Sequence, residues 1–183
     1  MKVLAGALKG QRLESPKGRE TRPTSDRVRI ACLDTLMPFL PRGPFLDLFA
    51  GAGGVGVEAL SRGAPSAVFV ERDALALRAL RSNIERLGLT GRARVVREDC
   101  ARAVEDLARQ GDRFAVIFLD PPYDSPRGAP ALVAVAAAGV LAAGGVVAVQ
   151  HATKSPPATI GALEVWKTRK FGETTLTFFR SPA

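Results

Sequence analysis

The central part of this chain, from about residue 45 to residue 150, alternates short apolar segments with longer segments whose apolar residues recur at helical spacing. The strand-like segments are 45–49, 67–71, 94–97, 114–119 and 145–150, and the helix-like segments are 56–62, 73–87, 101–109 and 131–138. Strands joined through helices run parallel, and strands that are apolar throughout are buried on both faces. We therefore predict an α/β fold in which helices cover both faces of a mostly parallel sheet.

The two ends of the chain depart from this alternation. Residues 1–25 are polar, basic and interrupted by glycine and proline, which predicts a basic N-terminal arm or hairpin. A helix is expected to begin at Ser25 or Asp26, either of which can cap it, and to end at Pro38. Two β-rich segments on either side of Gly172 predict a C-terminal antiparallel hairpin. We expect residues 26–183 to form a single domain.

Composition argues against several classes of protein. Cys32, Cys100 and His151 are the only cysteines and the only histidine, so neither a disulfide framework nor a CxxC or HExxH metal site can be built. No apolar run approaches the roughly 18 residues that a membrane helix needs, and the amino terminus does not resemble a cleavable signal. We expect a cytoplasmic protein that binds neither membrane nor metal, and nothing in the sequence demands more than a monomer.

The chain is strongly basic. Its formal net charge is +8, and the first 30 residues carry eight cations against three acids. Concentrated positive charge suits a polyanionic partner such as a nucleic acid, because each neutralised phosphate releases a counterion. A solvated basic surface without a partner explains the same charge, and composition leaves both interpretations open.

A glycine-rich segment follows the first strand. Gly51, Gly53 and Gly56 match GxGxxG between a strand and a helix, and Glu71 ends the next strand twenty residues after Gly51. Glycines let a ligand approach the backbone, and a carboxylate on the second strand can accept hydrogen bonds from both hydroxyls of a ribose. Two cofactors fit: a dinucleotide with its pyrophosphate on the helix, or S-adenosylmethionine with its amino group reached from Asp47 through backbone and water.

Asp99 ends the third strand. Its carboxylate can accept a hydrogen bond from an adenine amino group, or it can cap the helix that follows. The sequence leaves both roles open.

The fourth strand ends in the tetrapeptide Asp120-Pro121-Pro122-Tyr123. We expect it to face the same crevice as the glycine loop, because ligands bind beyond the carboxyl ends of the strands where the strand order reverses. Prolines fix φ and have no N–H, so this corner is a rigid array of acceptors for the exocyclic amine of an unstacked nucleobase. Holding both amine hydrogens frees the nitrogen lone pair for attack, and Tyr123 offers a flat face for stacking. A plain strand-ending turn is the alternative interpretation.

Six segments carry a combined resemblance to one family: GALKGQRL (6–13), RPTSDRVR (22–29), LDLFAGAGGVGVEALSRGA (46–64), VFVERD (68–73), FLDPPY (118–123) and KFGETTLTFF (170–179). Together they resemble the RsmD-type guanine-N2 methyltransferases of small-subunit ribosomal RNA, within the class I S-adenosylmethionine-dependent methyltransferases. The Asp-Pro-Pro-Tyr box alone is typical of the wider class that acts on exocyclic amines. Tyr123 stands where phenylalanine is frequent, and both rings can stack.

The resemblance implies a Rossmann-like fold with seven strands, and methyl transfer from S-adenosylmethionine to N2 of one guanine in a 16S rRNA hairpin loop within an assembled or assembling 30S particle. The catalytic residues, implied to hold the base, are Asp120, Pro121, Pro122 and Tyr123. The residues implied to hold the cofactor are Asp47, Phe49, Ala50, Gly51, Gly53, Glu71, Arg72, Asp99 and Cys100. The residues implied to contact RNA are Arg12, Arg22, Thr24, Arg27 and Arg29.

Three other functions compete with this interpretation. An NAD-linked oxidoreductase would use the glycine loop and Glu71, but it lacks an evident acid or base and leaves the tetrapeptide unexplained. Methylation of another amine, at adenine N6 of DNA or RNA or at a protein glutamine, is the nearest alternative, although the glutamine enzymes prefer Asn at the first position. A non-catalytic RNA-binding domain would not need an intact loop and corner.

Overall fold

A seven-stranded sheet forms the centre of the computed structural model, which describes residues 1–16, 25–122, 127–157 and 161–181. The strands are β1 Phe45–Leu48, β2 Ala67–Val70, β3 Ala93–Val96, β4 Phe114–Leu119, β5 Leu141–Ala152, β6 Glu164–Phe171 and β7 Thr174–Arg180. The helices are α1 Asp26–Leu36, α2 Gly54–Ser61, α3 Ala74–Arg86, α4 Cys100–Arg109 and α5 Gly128–Ala137, and a 3₁₀ turn spans Leu40–Arg42.

The strand order is β3-β2-β1-β4-β5-β7-β6. The strands β1 to β5 run parallel, whereas β7 is antiparallel to β5 and β6 is antiparallel to β7. The predicted α/β fold, with a mostly parallel sheet and a C-terminal hairpin, is therefore confirmed. The order reverses between the neighbours β1 and β4, so the place for a ligand is the carboxyl edge of these two strands.

Several element boundaries differ from the prediction, among them the starts of α2, α5 and β5. The helix α2 begins at Gly54, two residues early, because Gly53 before it takes the left-handed conformation (φ 88°) and turns the chain directly into the helix. The strand β5 begins at Leu141 instead of residue 145, and its pairing with β4 shifts register between Phe114 and Val116. The pair Gly144-Gly145 lies within this register shift, and regular pairing resumes at Val146.

Alternate residues of the central strands face two separate apolar layers. Phe45 and Phe69 pack towards α1, α2 and α3, whereas Leu46 and Leu48 pack towards α4 and α5. Asp47 lies between those two leucines and is only 2% exposed. Because side chains alternate along a strand, Asp47 points into the layer that holds α2 and the glycine loop.

The described part of the predicted N-terminal arm packs on the domain instead of extending from it. Val3 and Leu13 are buried in the core, and the backbone N–H groups of Leu4 and Ala5 donate to the two carboxylate oxygens of Glu58, at 2.8 and 2.9 Å. Glu58 lies on α2 and is fully buried. The first residues of the chain are thus bound to the helix that follows the glycine loop.

Arg29 corrects one expectation, because it lies in the interior and not on an RNA-facing surface. It is 1% exposed, and its guanidinium donates to the carbonyl of Lys2 (2.6 Å) and to Asp26 (3.0 Å). Its Nε lies 3.7 Å from Glu58. Burial lowers the pKa of Arg29, and the neighbouring Glu58 opposes that effect. The guanidinium therefore serves to join α1 to the N-terminal segment.

Replacing Glu58 with alanine is expected to destabilise the fold by about 3–5 kcal/mol, because it removes a buried carboxylate that accepts from two backbone N–H groups and leaves Arg29 with its exposed partner Asp26 alone. Urea unfolding of wild type and variant measures the loss. Asp106→Ala, which removes an exposed ion pair with Arg109, is the control and should cost less than about 1 kcal/mol. Equal losses in the two variants would contradict the assigned role of Glu58.

Candidate active site

Three carboxylates meet at the edge where β2, β1 and β4 end. Glu71 follows β2, Asp47 lies near the end of β1, and Asp120 follows β4. The backbone N–H of Glu71 donates to Val96 (3.1 Å) and that of Asp120 to Leu48 (3.4 Å), so both residues continue the parallel pairing. The predicted assembly of the glycine loop, Glu71 and the Asp120 corner at one sheet edge therefore agrees with the geometry.

The loop between β1 and α2 is held in a left-handed path. Phe49 has φ 65°, which is uncommon for a residue with a side chain, and Gly51 has φ 56°. The N–H of Ala50 donates to Val70 and the N–H of Gly53 donates to Ala50. A Cβ placed on Gly51 would meet no atom within 4 Å. The backbone at Gly51 therefore borders open space, as a loop that receives a ligand must.

Gly56 is required for a different reason. A Cβ at this position would lie 2.3 Å from the ring of Phe69 and 2.9 Å from Oδ2 of Asp47. The N–H of Gly56 donates to that same oxygen at 2.8 Å. The third glycine of the motif thus lets α2 pack closely on β1 and β2, and it places an N–H on the buried carboxylate.

Glu71 is the centre of the loop's hydrogen bonding. Its Oε2 accepts from the N–H of Gly51 (2.9 Å), and its Oε1 accepts from the N–H groups of Arg72 and Asp73 (2.8 Å each). A carboxylate offers about four acceptor positions, so three are in use. A ribose can take the remaining one, and a second ribose hydroxyl would have to displace one of these backbone donors.

Asp47 lies beneath the loop and not on its surface. Burial raises the pKa of Asp47 to about 8, the bond from Gly56 opposes this, and the nearby Asp120 and Glu71 raise the pKa further. The sequence suggested that Asp47 reaches a cofactor amino group through backbone and water. Its position supports an indirect influence of this kind, since the Gly56 hydrogen bond ties it to the start of α2.

The free energy of unfolding should fall as the pH rises from about 4 to about 8, because of the raised pKa of Asp47. The carboxyl ionises near 3.8 at its ordinary value and near 8 in the folded chain, so over this window the folded state holds a proton that the unfolded state has lost. Asp47→Asn keeps an oxygen for the N–H of Gly56 and should remove this part of the slope. Denaturant unfolding of both proteins across that pH range measures it, and identical slopes would contradict the raised pKa.

The remaining residues predicted to hold the cofactor have varied surroundings. Asp99 caps α4, with its Oδ1 accepting from the N–H of Ala101 at 3.0 Å, so the cap is the role that the hydrogen bonding supports. Cys100 is buried, and desolvation raises its pKa to about 12. Its thiol is therefore neutral at physiological pH and is not a nucleophile. Arg72 is exposed beside Glu71.

The corner after β4 is described as far as Pro122. Asp120 and Pro121 are half-buried and Pro122 is exposed. Pro121 packs on the start of α5, since a Cβ on Gly128 would lie 2.6 Å from its ring. Tyr123 lies outside the described residues, so its stacking role stays a prediction.

The helix α1 forms a wall beside this corner. Cys32 on α1 is buried, and burial, followed by the charge of Asp120, raises the pKa of its thiol well above the ordinary value. Cys32 belongs to the same buried apolar cluster as Phe118 of β4, so α1 covers the sheet face that adjoins the corner.

The predicted RNA contacts are divided by the structure. Arg12 and Arg27 are exposed, whereas Arg29 is buried as described above. Arg22 and Thr24 lie outside the described residues.

Asn83 is a supporting residue that sequence reasoning missed. It is fully buried on α3, and its side-chain amide donates to the carbonyls of Ala52 in the loop (3.0 Å) and Glu14 in the N-terminal segment (3.1 Å). Its Oδ1 accepts from the N–H of Glu14 at 2.8 Å. The sequence did contain a sign of this role, because Asn83 is an amide that lies between Leu80 and Ile84 on the buried stripe of the helix. Asn83 connects the cofactor loop to the N-terminal segment.

Comparison of the structure and the sequence with known proteins shows which class of protein has this fold and site. The structure of the Escherichia coli protein yhhF superposes with a TM-score of 0.85 at 28% identity and covers 99% of this chain and 97% of that one. A protein of Escherichia coli (strain K12) named Ribosomal RNA small subunit methyltransferase D is 37% identical over 123 residues, which are 67% of this chain and 60% of the relative. Fold, loop and corner together define a Rossmann-like methyltransferase.

The family follows from matches that run along nearly the whole chain. YlbH of Bacillus subtilis (strain 168) is 36% identical over 181 residues, which are 98% of each protein. The chain belongs to the family described as Conserved hypothetical protein 95, whose sequence model matches residues 1–180. The resemblance drawn from the sequence segments is thereby confirmed.

Proposed function

We propose that this protein transfers the methyl group of S-adenosylmethionine to the N2 amine of one guanine in small-subunit ribosomal RNA. The observation that carries the proposal is the position of the Asp120 corner directly beside the glycine loop, where the order of β1 and β4 reverses. The relative named Ribosomal RNA small subunit methyltransferase D supports rRNA as the substrate class. The choice of guanine N2 rests on the resemblance to the RsmD-type enzymes.

The chemistry of the site fits S-adenosylmethionine better than a dinucleotide. S-adenosylmethionine supplies an electrophilic methyl group on a sulfonium and carries a cationic amino group. The carboxylates of Glu71 and Asp120 favour a cation at this edge, because their mutual repulsion falls when one binds. A pyrophosphate would need the free N–H groups of the α2 amino terminus. Asp47 already takes the N–H of Gly56 there, so this donor is not available to a phosphate.

The residues of this chain have defined tasks in the proposed reaction. Gly51 leaves room for the methionine part, and Glu71 fixes the loop and offers its remaining acceptor position to a ribose. Asp120 accepts an N–H of the target amine and orients the nitrogen lone pair towards the methyl carbon. The prolines present carbonyls without competing N–H donors, and Tyr123 stacks on the base. The proton released by the methylated amine passes to Asp120 or to water.

The corner itself suits any exocyclic amine, so adenine N6 or a glutamine amide stays a chemical alternative. The rRNA name of the relative favours RNA over protein. We further propose that the enzyme acts as a monomer in the cytoplasm on an assembled or assembling 30S particle. Within the described residues no helix is long and apolar enough to cross a membrane, and no cluster of potential metal ligands is found.

Direct methyl transfer tests the proposal. The purified protein is incubated with isotopically labelled S-adenosylmethionine and either naked 16S rRNA or 30S particles from cells that lack it, and the RNA is digested to nucleosides. We expect label in N2-methylguanosine. Label in N6-methyladenosine would move the substrate to adenine, and absence of label from both RNA forms would overturn the proposed function.

A further inference from the structure

The outer edge of the sheet carries a row of cations stacked on aromatic rings. At the end of β6 away from the crevice, the guanidinium of Arg180 lies 3.6 Å from the ring centroid of Trp166 and 4.8 Å from that of Phe39. The guanidinium of Arg42 lies 4.7 Å from the centroid of the same Phe39 ring, and Nζ of Lys167 lies 5.8 Å from the centroid of the Trp166 ring. Trp166 is the exposed ring of this group, whereas the Phe39 ring is only 5% exposed and belongs to the core.

A second group continues the row towards the active-site edge. Arg27 of α1 and Arg169 of β6 lie 5.9 and 5.8 Å from the ring of Phe171. Phe171 pairs with Thr174, which in turn pairs with Ala152 at the carboxyl end of β5. Together the two groups form what we call the edge strip, which follows the eight residues of β6 for about 25 Å. One end of the edge strip therefore lies on the side of the sheet where the parallel strands have their carboxyl ends, which is also the side of Asp120.

The cations of the edge strip lack acidic partners. Within the parts of the chain that the structure describes, no carboxylate forms an ion pair with any of them: Arg27, Arg42, Lys167, Arg169 and Arg180. Arg169 is not free either, since it donates to the carbonyl of Ala31 and the hydroxyl of Thr35, at 3.2 Å each. The exposed cations Arg27, Arg42 and Lys167 are therefore the ones available to an external anion.

Trp166 is the aromatic member of the exposed large apolar residues in the described part of the chain. It is 40% exposed on an edge strand, and its neighbour Val165 is 54% exposed. Lysines and the register shift between Val165 and Lys167 are ordinary means of protecting an edge strand from pairing with another chain. Those devices explain Lys167. The indole packs edge-to-face on the buried rings of Phe39 and Phe178, at 5.8 and 6.2 Å between ring centroids. The part of the indole that stays exposed lies beside cations, which is the composition of surfaces that bind single-stranded nucleic acid.

We propose that the edge strip is a second RNA-binding surface, which holds the segment of substrate RNA leading away from the nucleotide at Asp120. The cations neutralise phosphates, and Trp166 stacks on an unpaired base. The proposal rests on the proposed function, since the RNA at the edge strip is the rRNA whose base enters the crevice.

Trp166 provides a direct readout, because it is the single tryptophan of the chain. Its emission is recorded while naked 16S rRNA is added, with acrylamide quenching measured before and after. We expect bound rRNA to quench Trp166 and to shield it from acrylamide, and S-adenosylhomocysteine alone to do neither. Unchanged emission and unchanged acrylamide quenching, at rRNA concentrations that filter binding shows to be saturating, would overturn the proposal.

Variants separate the edge strip from the catalytic corner. Trp166→Ala should raise KM for the RNA form that wild type methylates by about 5- to 100-fold, the range for losing one stacked base, with kcat unchanged. Lys167→Ala should lower the slope of log affinity against log salt by about one. Arg109→Ala is the matched control, an exposed cation on α4 at the opposite face, and should change neither quantity.

The outcomes distinguish the two proposals. If wild type methylates rRNA but KM and the salt slope of both edge-strip variants match those of Arg109→Ala, the edge strip is not an RNA contact and the proposed function stands. If wild type methylates neither naked rRNA nor particles, the proposed function fails and the edge strip loses its proposed partner with it.

Discussion

Replacing Asp120 with alanine should reduce methyl transfer by about 10²–10³-fold or more, the usual cost of removing one preorganised hydrogen-bonding group from a transition state. The affinity for S-adenosylhomocysteine should stay within a few-fold of wild type, because the loop is held by Glu71 and Asp47 and not by the corner. Single-turnover methylation and calorimetry measure the two quantities separately.

Asp120→Asn is the informative companion to this variant. It keeps one oxygen that can accept an amine hydrogen but removes the negative charge, so it should retain more activity than Asp120→Ala if the group acts chiefly as an acceptor. Equal losses would assign the effect to the charge. Turnover at the wild-type rate in Asp120→Ala would remove the corner from the mechanism.

Glu71→Ala is expected to weaken binding of S-adenosylhomocysteine by about 10- to 100-fold. Hydrogen bonds to a charged group contribute about 1.5–3 kcal/mol each, and the variant loses a ribose contact. It also frees the N–H groups of Gly51, Arg72 and Asp73, which Glu71 holds in place. Calorimetry gives the affinity, and circular dichroism shows whether the fold persists.

Two controls accompany the Glu71 experiment. Glu85→Ala removes an exposed acid on α3 and should leave the affinity unchanged. Wild type should bind S-adenosylhomocysteine and not NAD, and tight NAD binding would reverse the choice of cofactor. An unchanged affinity in Glu71→Ala would exclude Glu71 from the cofactor site.

The fold was largely predictable because its determinants are local. The apolar segments mark strands, and Ser25 and Asp73 cap α1 and α3, where helical spacing begins. The C-terminal hairpin follows from the turn at Gly172. The predicted start of β5 was wrong, because Leu141 already pairs with Phe114 before the register shift that contains Gly144-Gly145. Propensity does not report such tertiary pairing.

The candidate site was predictable in its outline and less so in its interior. Position at strand ends was enough to bring Glu71 and Asp120 to one edge. The burial of Arg29 could not be predicted from the sequence, since its partner Glu58 is 29 residues away and on another helix. The link that Asn83 makes between loop and N-terminal segment likewise depends on contacts between distant parts of the chain.

The most direct test of the central claim is mass mapping of 16S rRNA from cells with and without this protein. The account predicts that one N2-methylguanine disappears when the protein is absent, and that wild type restores it whereas Asp120→Ala does not. Identical maps from the two kinds of cell would contradict the account, as would the loss of a methyl group from any other base.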